Sequence, residues 1–184
     1  LDGWLDVVLG PGSHPLQNMQ PLFFYRNEKG RALTNITPLA DPLYHGKFHG
    51  IAFTDYDRDG DPDLYVNNGG VLLSDRWRDL FLENTTTGRH WLHLHLRGTS
   101  SNAGAVGARV TLRLGEEIRM QEVGAGQGFA STNGPGLIFG LGAVDAVEEI
   151  HIRWPSGRGQ VVSAVAADQA LVITEGSDAL QRIY

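Results

Sequence analysis

Hydrophobic and polar positions alternate with a period of two over much of this chain. Trp91-Leu92-His93-Leu94-His95-Leu96 alternates strictly, with leucines on one face and Trp91, His93 and His95 on the other. That pattern predicts a half-buried strand with a polar, exposed second face. Ala108 to Leu114 alternates in the same way, reverses at Gly115-Glu116 and resumes over Ile118 to Val123, which predicts a hairpin. Gly136 to Gly142, Val147 to Trp154, Gln160 to Val165 and Ala170 to Glu175 add four strand candidates. No segment keeps a convincing helical period, although Ala143 to Glu149 suggests one short helical turn. Short strands joined by glycine-rich turns predict a β-sandwich or small barrel over residues 90–184.

The first half, residues 1–88, has a different organisation. Gly50 to Thr54, Leu64 to Val66 and Leu80 to Glu83 read as strands, and an earlier one is centred on Ala32 to Ile36. The chain also repeats itself at an offset of 57: Asp2, Gly3, Asp6, Phe24 and Asn27 match Asp59, Gly60, Asp63, Phe81 and Asn84 without a gap. Repeats of this size predict propeller blades or solenoid units, each burying its apolar face only against a neighbour. The first copy begins part-way through its motif, so further residues are expected upstream. About one and a half blades would otherwise leave sheet edges and apolar faces open.

The chemistry is concentrated in Asp55-Tyr56-Asp57-Arg58-Asp59-Gly60-Asp61-Pro62-Asp63. Carboxylates fall at loop positions one, three, five and nine, with glycine at six. Four acidic groups this close repel one another unless a cation lies between them. A hard cation such as Ca²⁺ takes six to eight oxygens, and alternate side chains of a tight loop can converge on one centre. Asp55, Asp57, Asp59 and Asp63 are expected to coordinate by side chain and Asp61 by its backbone carbonyl, with Gly60 taking the sharp turn. The glutamate at position twelve that closes an EF-hand is missing, and the flanks are strands rather than helices. Asp2, Trp4 and Asp6 are the matching half of a second, partial site. The competing reading is a solvated acidic turn.

Composition narrows the partners. The net charge of −6 makes nucleic acid and anionic membrane poor ones. The absence of cysteine removes disulfides, thiolate metal sites and cysteine nucleophiles together. No apolar run approaches the ~20 residues needed to span a bilayer.

Both halves resemble known modules. Phe48 to Phe53 leading into Asp55 to Gly60, followed by Leu80-Phe81-Leu82-Glu83-Asn84, resembles the FG-GAP/VCBS repeats of integrin-α-type propellers. His90-Trp91-Leu92, Leu96-Arg97-Gly98, Asn102, Gly107 to Val110, Gly126 to Phe129, Phe139 to Gly142 and Arg153 to Gly157 resemble, in order, the ASPIC/UnbV domain of cartilage acidic protein-like and bacterial exported proteins. The resemblance implies an all-β chain: C-terminal blades of a calcium-binding β-propeller followed by a β-sandwich-like ASPIC/UnbV domain. It also implies export and structural Ca²⁺ in the blades, and no established reaction. The truncated first loop departs from the pattern.

Other constellations have plain structural readings. His93 and His95 could chelate Zn²⁺ or Cu²⁺, but no third ligand is evident. His90 has the opposite parity, and His45 and His49 read as surface or blade-packing residues. Ser156 follows Trp154-Pro155 in a turn, with no Gly-x-Ser-x-Gly elbow around it. Trp154 reads as core or interface packing rather than as a sugar platform. Glu116, Glu117, Glu122, Glu148 and Glu149 form no distinguished acid pair, and Gly124 to Gly128 precedes no helix. Asn35 and Asn84 begin glycosylation sequons.

The expectation is an exported, non-enzymatic adhesion or interaction module at a cell surface, in a matrix or in a periplasm. Its partners would be an extracellular protein or glycan, or copies of itself, without nucleic acid or membrane insertion. The alternatives are a structural subunit of an extracellular filament or complex, and the non-catalytic tail of a propeller enzyme acting on polysaccharide.

Overall fold

The computed structural model describes residues 1–12, 19–40, 45–69 and 77–184. The first part comprises β1 (Val7–Leu9), β2 (Gln20–Pro21), β3 (Phe23–Asn27), β4 (Leu33–Asn35), the short helix α1 (Thr37–Ala40), β5 (His45–Gly46), β6 (Phe48–Thr54), β7 (Asp63–Asn68) and β8 (Leu80–Leu82). They form sheets β1-β3-β4, β2-β5 and β6-β7-β8. The repeat is visible in the register. Val7, Val8 and Leu9 of β1 pair with Tyr25, Phe24 and Phe23. Their counterparts 57 positions on, Leu64, Tyr65 and Val66, pair with Leu82, Phe81 and Leu80. Side chains therefore point the same way in both copies, because a slip of one residue would invert every one of them.

Leu22, Phe48, Leu64 and Val66 form a small buried core here, packed by Val8, Phe24, Ile51, Phe53, Leu80 and Leu82 from both three-stranded sheets. The outer positions of the first sheet are open, with Leu5, Val7, Leu9 and Leu33 all exposed.

The second part is a two-sheet sandwich. It contains β9 (His90–Arg97), β10 (Arg109–Leu114), β11 (Glu117–Glu122), β12 (Leu137–Gly142), β13 (Ala146–Arg153), β14 (Gly159–Ala166), β15 (Gln169–Thr174) and β16 (Leu180–Arg182). One sheet has the order β11-β10-β13-β14 and the other β12-β9-β15-β16, in which β9 and β15 run parallel. The inner faces interdigitate as alternate apolar positions of both sheets: Val110, Leu112 and Ile152 from one, Leu92, Leu94, Phe139 and Ile173 from the other. The expected hairpin is β10–β11, closed by Gly115-Glu116 with Gly115 at φ +61°. Trp154 is 1% exposed, and its Nε1–H donates to Gln160 Oε1 at 3.0 Å, so it is a core residue.

Two expectations need correction. Residues 143–149 hold no helical turn: a turn at 143 leads into strand β13. The one described helix is α1, which starts where Asn35 Oδ1 accepts the Thr37 N–H at 3.0 Å. The second face of β9 is also not an exposed polar face, since Trp91 and His93 are both buried. β9 is covered on both sides because the acidic loop of the first part lies on that face.

Candidate metal centre

The acidic loop joins β6 to β7 and is wound by its own carboxylates. Asp57 Oδ1 accepts the Asp59 N–H (3.2 Å) and Asp59 Oδ1 accepts the Asp61 N–H (3.0 Å). Asp63 closes the loop at its base: Oδ2 takes the Tyr56 N–H at 2.9 Å and Oδ1 takes the Asn84 N–H at 2.9 Å. Gly60 sits at φ +95° and Arg58 at φ +66°.

This winding gathers one carboxylate oxygen each from Asp55, Asp57 and Asp63 to within 4.8 Å of one another. Two oxygens bonded to one Ca²⁺ at about 2.4 Å are at most about 4.8 Å apart, so the three fit a shared centre of that size. Asp59 is not in this group and is exposed. Asp61, expected to act through its backbone, has in addition a completely buried side chain.

The electrostatics are unbalanced without a counter-charge. Asp55 Oδ1 and both carboxylate oxygens of Asp61 are buried without a hydrogen-bond partner. Burial, then the charges of Asp59 and Asp63, push the Asp61 carboxyl up to about 7. A buried, unpartnered carboxylate is strongly disfavoured unless a cation or donor meets it. The donors are all oxygens and the chain has no thiol, a set that suits a hard divalent cation. The residues present therefore fit Ca²⁺.

The first loop reproduces the scaffold of the second. Asp2 Oδ1 accepts the Trp4 N–H at 3.0 Å, as Asp59 does for Asp61. Asn27 N–H donates to Asp6 Oδ1 at 2.7 Å, and Asn27 Nδ2 donates to the Leu5 carbonyl at 3.0 Å. Asn84 makes the same two bonds to Asp63 and to the Pro62 carbonyl. Among the described residues, however, only the second loop brings three acidic donors together.

Both loops meet the sandwich at their glycines. A Cβ on Gly60 would overlap the indole of Trp91, and one on Gly3 would overlap the guanidinium of Arg119. Arg119 Nη1–H also donates to the Gly140 carbonyl, and the Gly142 N–H donates to the Leu1 carbonyl at 3.1 Å. Further contacts come from Asn133, whose Oδ1 accepts the Phe53 N–H at 3.1 Å, and from Gly134 N–H to the Phe53 carbonyl at 2.7 Å.

Tyr184 completes the surroundings. Its hydroxyl donates to Asp55 Oδ2 at 3.0 Å, and the Tyr184 hydroxyl oxygen itself lies 3.0 Å from His93 Nδ1. His93 Nε2 is 3.1 Å from the Pro135 carbonyl. Burial, then the bond to Asp55, raise the Tyr184 hydroxyl above the ordinary tyrosine value, so it stays a donor. Arg58 lies over the Tyr184 ring at 5.5 Å. Nothing in the sequence signals Tyr184, because 129 residues separate it from Asp55.

Most of the other candidates have structural partners. His93 and His95 stack at 4.2 Å, but no acidic or histidine group completes a metal site with them among the described residues. Glu122 pairs with Arg109, Glu117 with Arg119, and Glu148 and Glu149 with Arg113. Ser156 Oγ–H donates to Glu175 Oε1 at 2.5 Å within a turn. His90 Nδ1 lies 2.7 Å from Asp168. The ring of His49 is 6.2 Å from Phe129, and His45 is exposed. Asn84 is held by its amide to Pro62, and Asn35 by its cap to Thr37.

Comparison with protein families agrees with both parts. Residues 1–66 match the model for the FG-GAP-like repeat and residues 98–180 match that for ASPIC and UnbV. Comparison with curated proteins finds no match. The chain is thus a repeat protein in which FG-GAP-like repeats, with blade sheets in register at 57 residues, are followed by an ASPIC and UnbV domain folded as a two-sheet sandwich.

Proposed function

We propose that this protein is an exported, calcium-stabilised interaction module without catalytic activity of its own. The observation that carries the reading is the convergence of Asp55, Asp57 and Asp63 beside the buried, unpartnered oxygens of Asp55 and Asp61. Ca²⁺ bound there neutralises the loop and locks the β6–β7 turn. Extracellular modules hold Ca²⁺ with dissociation constants of about 10⁻⁴–10⁻³ M, so such a site fills outside cells and stays largely empty in cytosol. Among the described residues, no helix is long and apolar enough to cross a membrane.

The chain acts by adhesion, presenting its blade and sandwich surfaces to an extracellular protein or glycan. The non-enzymatic reading is supported by the acidic side chains tied to arginine and by Ser156, held in a turn by Glu175. The test is calorimetric Ca²⁺ titration of the wild type and of Asp57→Ala. Saturable binding lost in the variant supports the site, and equal binding in both refutes it. Incubation with a panel of polysaccharides tests the enzymatic alternative: turnover abolished by a point mutation in this chain would replace the adhesion reading.

A second reading has one observation in its favour. Leu5, Val7, Leu9 and Leu33 leave an apolar sheet face in solvent, as expected of a subunit whose neighbour in an assembly covers that face. A monodisperse monomer in sedimentation at high concentration would count against it.

A further inference from the structure

We infer that Tyr184 is a positioning residue for the cation loop, and that cation occupancy of this loop is coupled to docking of the sandwich on the blade. The inference rests on the calcium reading above and assigns it a control element outside the repeat.

The argument starts from the two oxygens of Asp55. Oδ2 is held by the Tyr184 hydroxyl at 3.0 Å, while Oδ1 is buried without a partner. One oxygen of the first loop carboxylate is thus anchored to the sandwich, which fixes the direction in which the other faces. Tyr184 is itself fixed. Its carbonyl accepts the Ala170 N–H at 3.0 Å, the neighbouring Ile183 N–H donates to the Ala170 carbonyl at 2.7 Å, and its hydroxyl oxygen lies 3.0 Å from His93 Nδ1. Its ring sits 6.1 Å from that of Trp91, the side chain that covers Gly60. The loop is therefore held at positions one and six by a single patch of the sandwich.

Hydrogen-bond partners of ligating carboxylates hold those ligands in their binding geometry, and their loss typically weakens metal affinity about 10–100-fold. Coupling of this kind is reciprocal: if the docked sandwich strengthens cation binding, the cation strengthens docking by the same factor. Without a cation, repulsion within the loop pulls against the Tyr184–Asp55 bond. With one bound, the carboxylates are drawn inward and the bond is kept.

The experiment uses the whole chain, wild type and Tyr184→Phe, with Ca²⁺ alone as the probe. The phenylalanine ring keeps the packing on Trp91 and loses only the hydroxyl. Titration calorimetry is expected to show an increase of about tenfold or more in the Ca²⁺ dissociation constant of the variant. Hydrogen exchange of the wild type is expected to slow at the Ala170 and Ile183 amides when Ca²⁺ is added. That second measurement does not depend on the variant folding. A wild type that binds Ca²⁺, with a variant of equal or tighter affinity, overturns the coupling and leaves the calcium reading standing. Unchanged exchange at Ala170 and Ile183 while the loop amides slow does the same. A wild type that binds no Ca²⁺ overturns the calcium reading, and the coupling falls with it.

Discussion

The indole of Trp91 occupies the space that a side chain on Gly60 would need. Glycine at the sixth loop position therefore meets two requirements. Its φ of +95° suits a residue without Cβ, and its bare backbone lets the sandwich approach the loop. Gly3 has the same φ, but its neighbour there is not a packed ring: it is the tip of Arg119, a flexible side chain that would move only by giving up its bond to the Gly140 carbonyl. Gly60→Ala is expected to destabilise the chain by about 2–4 kcal/mol, combining backbone strain with overpacking against a buried ring. Gly3→Ala is expected to cost only about 1 kcal/mol. Urea unfolding of the two variants checks the order, and equal effects would contradict this account of the contact.

Removal of calcium should expose the electrostatic burden of the loop. A ligand that binds only the folded state stabilises it by RT ln(1 + [L]/Kd). At about 2 mM Ca²⁺ and a dissociation constant of about 10⁻⁴–10⁻³ M, the gain is about 0.6–2 kcal/mol. Chelation should therefore lower the melting temperature of the wild type and leave that of Asp57→Ala unchanged. An equal shift in both would place the calcium effect elsewhere.

Glu175 should impose a pH dependence at the acid end. Its buried carboxylate accepts the N–H groups of Thr99, Ser100 and Ser101 at 2.9, 2.8 and 2.7 Å, and the hydroxyls of Ser101 and Ser156. Burial alone would raise this carboxyl, but the bonds from Ser156 and then the backbone bring it down to about 2. The unfolded state then binds the proton more readily than the folded one, so stability rises with pH across this window. The contribution is complete above about pH 4.5 and is lost as pH falls toward 2. Chemical unfolding at a series of pH values should show this loss in the wild type, and Glu175→Gln should be less stable at pH 7 and flatter below pH 4.5.

His95 should act in a separate, milder window. Burial, then the neighbouring His93, bring its imidazole from 6.5 down to about 4. A histidine lowered on folding favours the neutral form, so its contribution is present above pH 6.5 and is lost as pH falls toward 4. His95→Asn should flatten the stability profile between those values. A profile unchanged by the substitution would mean that the ring is not held neutral by its surroundings.

Much of this protein was already legible in its sequence, wherever the determining interactions are local. The period-two alternation of Ala108 to Val123 and the Gly115 turn specify the β10–β11 hairpin, because neighbouring residues alone set which face each side chain takes. The offset of 57 anticipated a common register for the two copies, since the same residues at the same spacing make the same bonds, Asn27 to Asp6 and Asn84 to Asp63. The spacing of Asp55, Asp57, Asp59 and Asp63 likewise predicted a converging acidic loop, a property of one tight turn. Asp55, Asp57 and Asp63 do converge, while Asp59 stays outside the group. Tertiary structure decided the rest. The alternation of Trp91 and His93 records only that they share a face, and what covers that face arrives from residues 55–61 and from Tyr184. Asp61 became a buried carboxylate, and Asp55 acquired a partner 129 residues away. Contacts between distant segments depend on how two finished units pack against each other, and no period along a single chain carries that information.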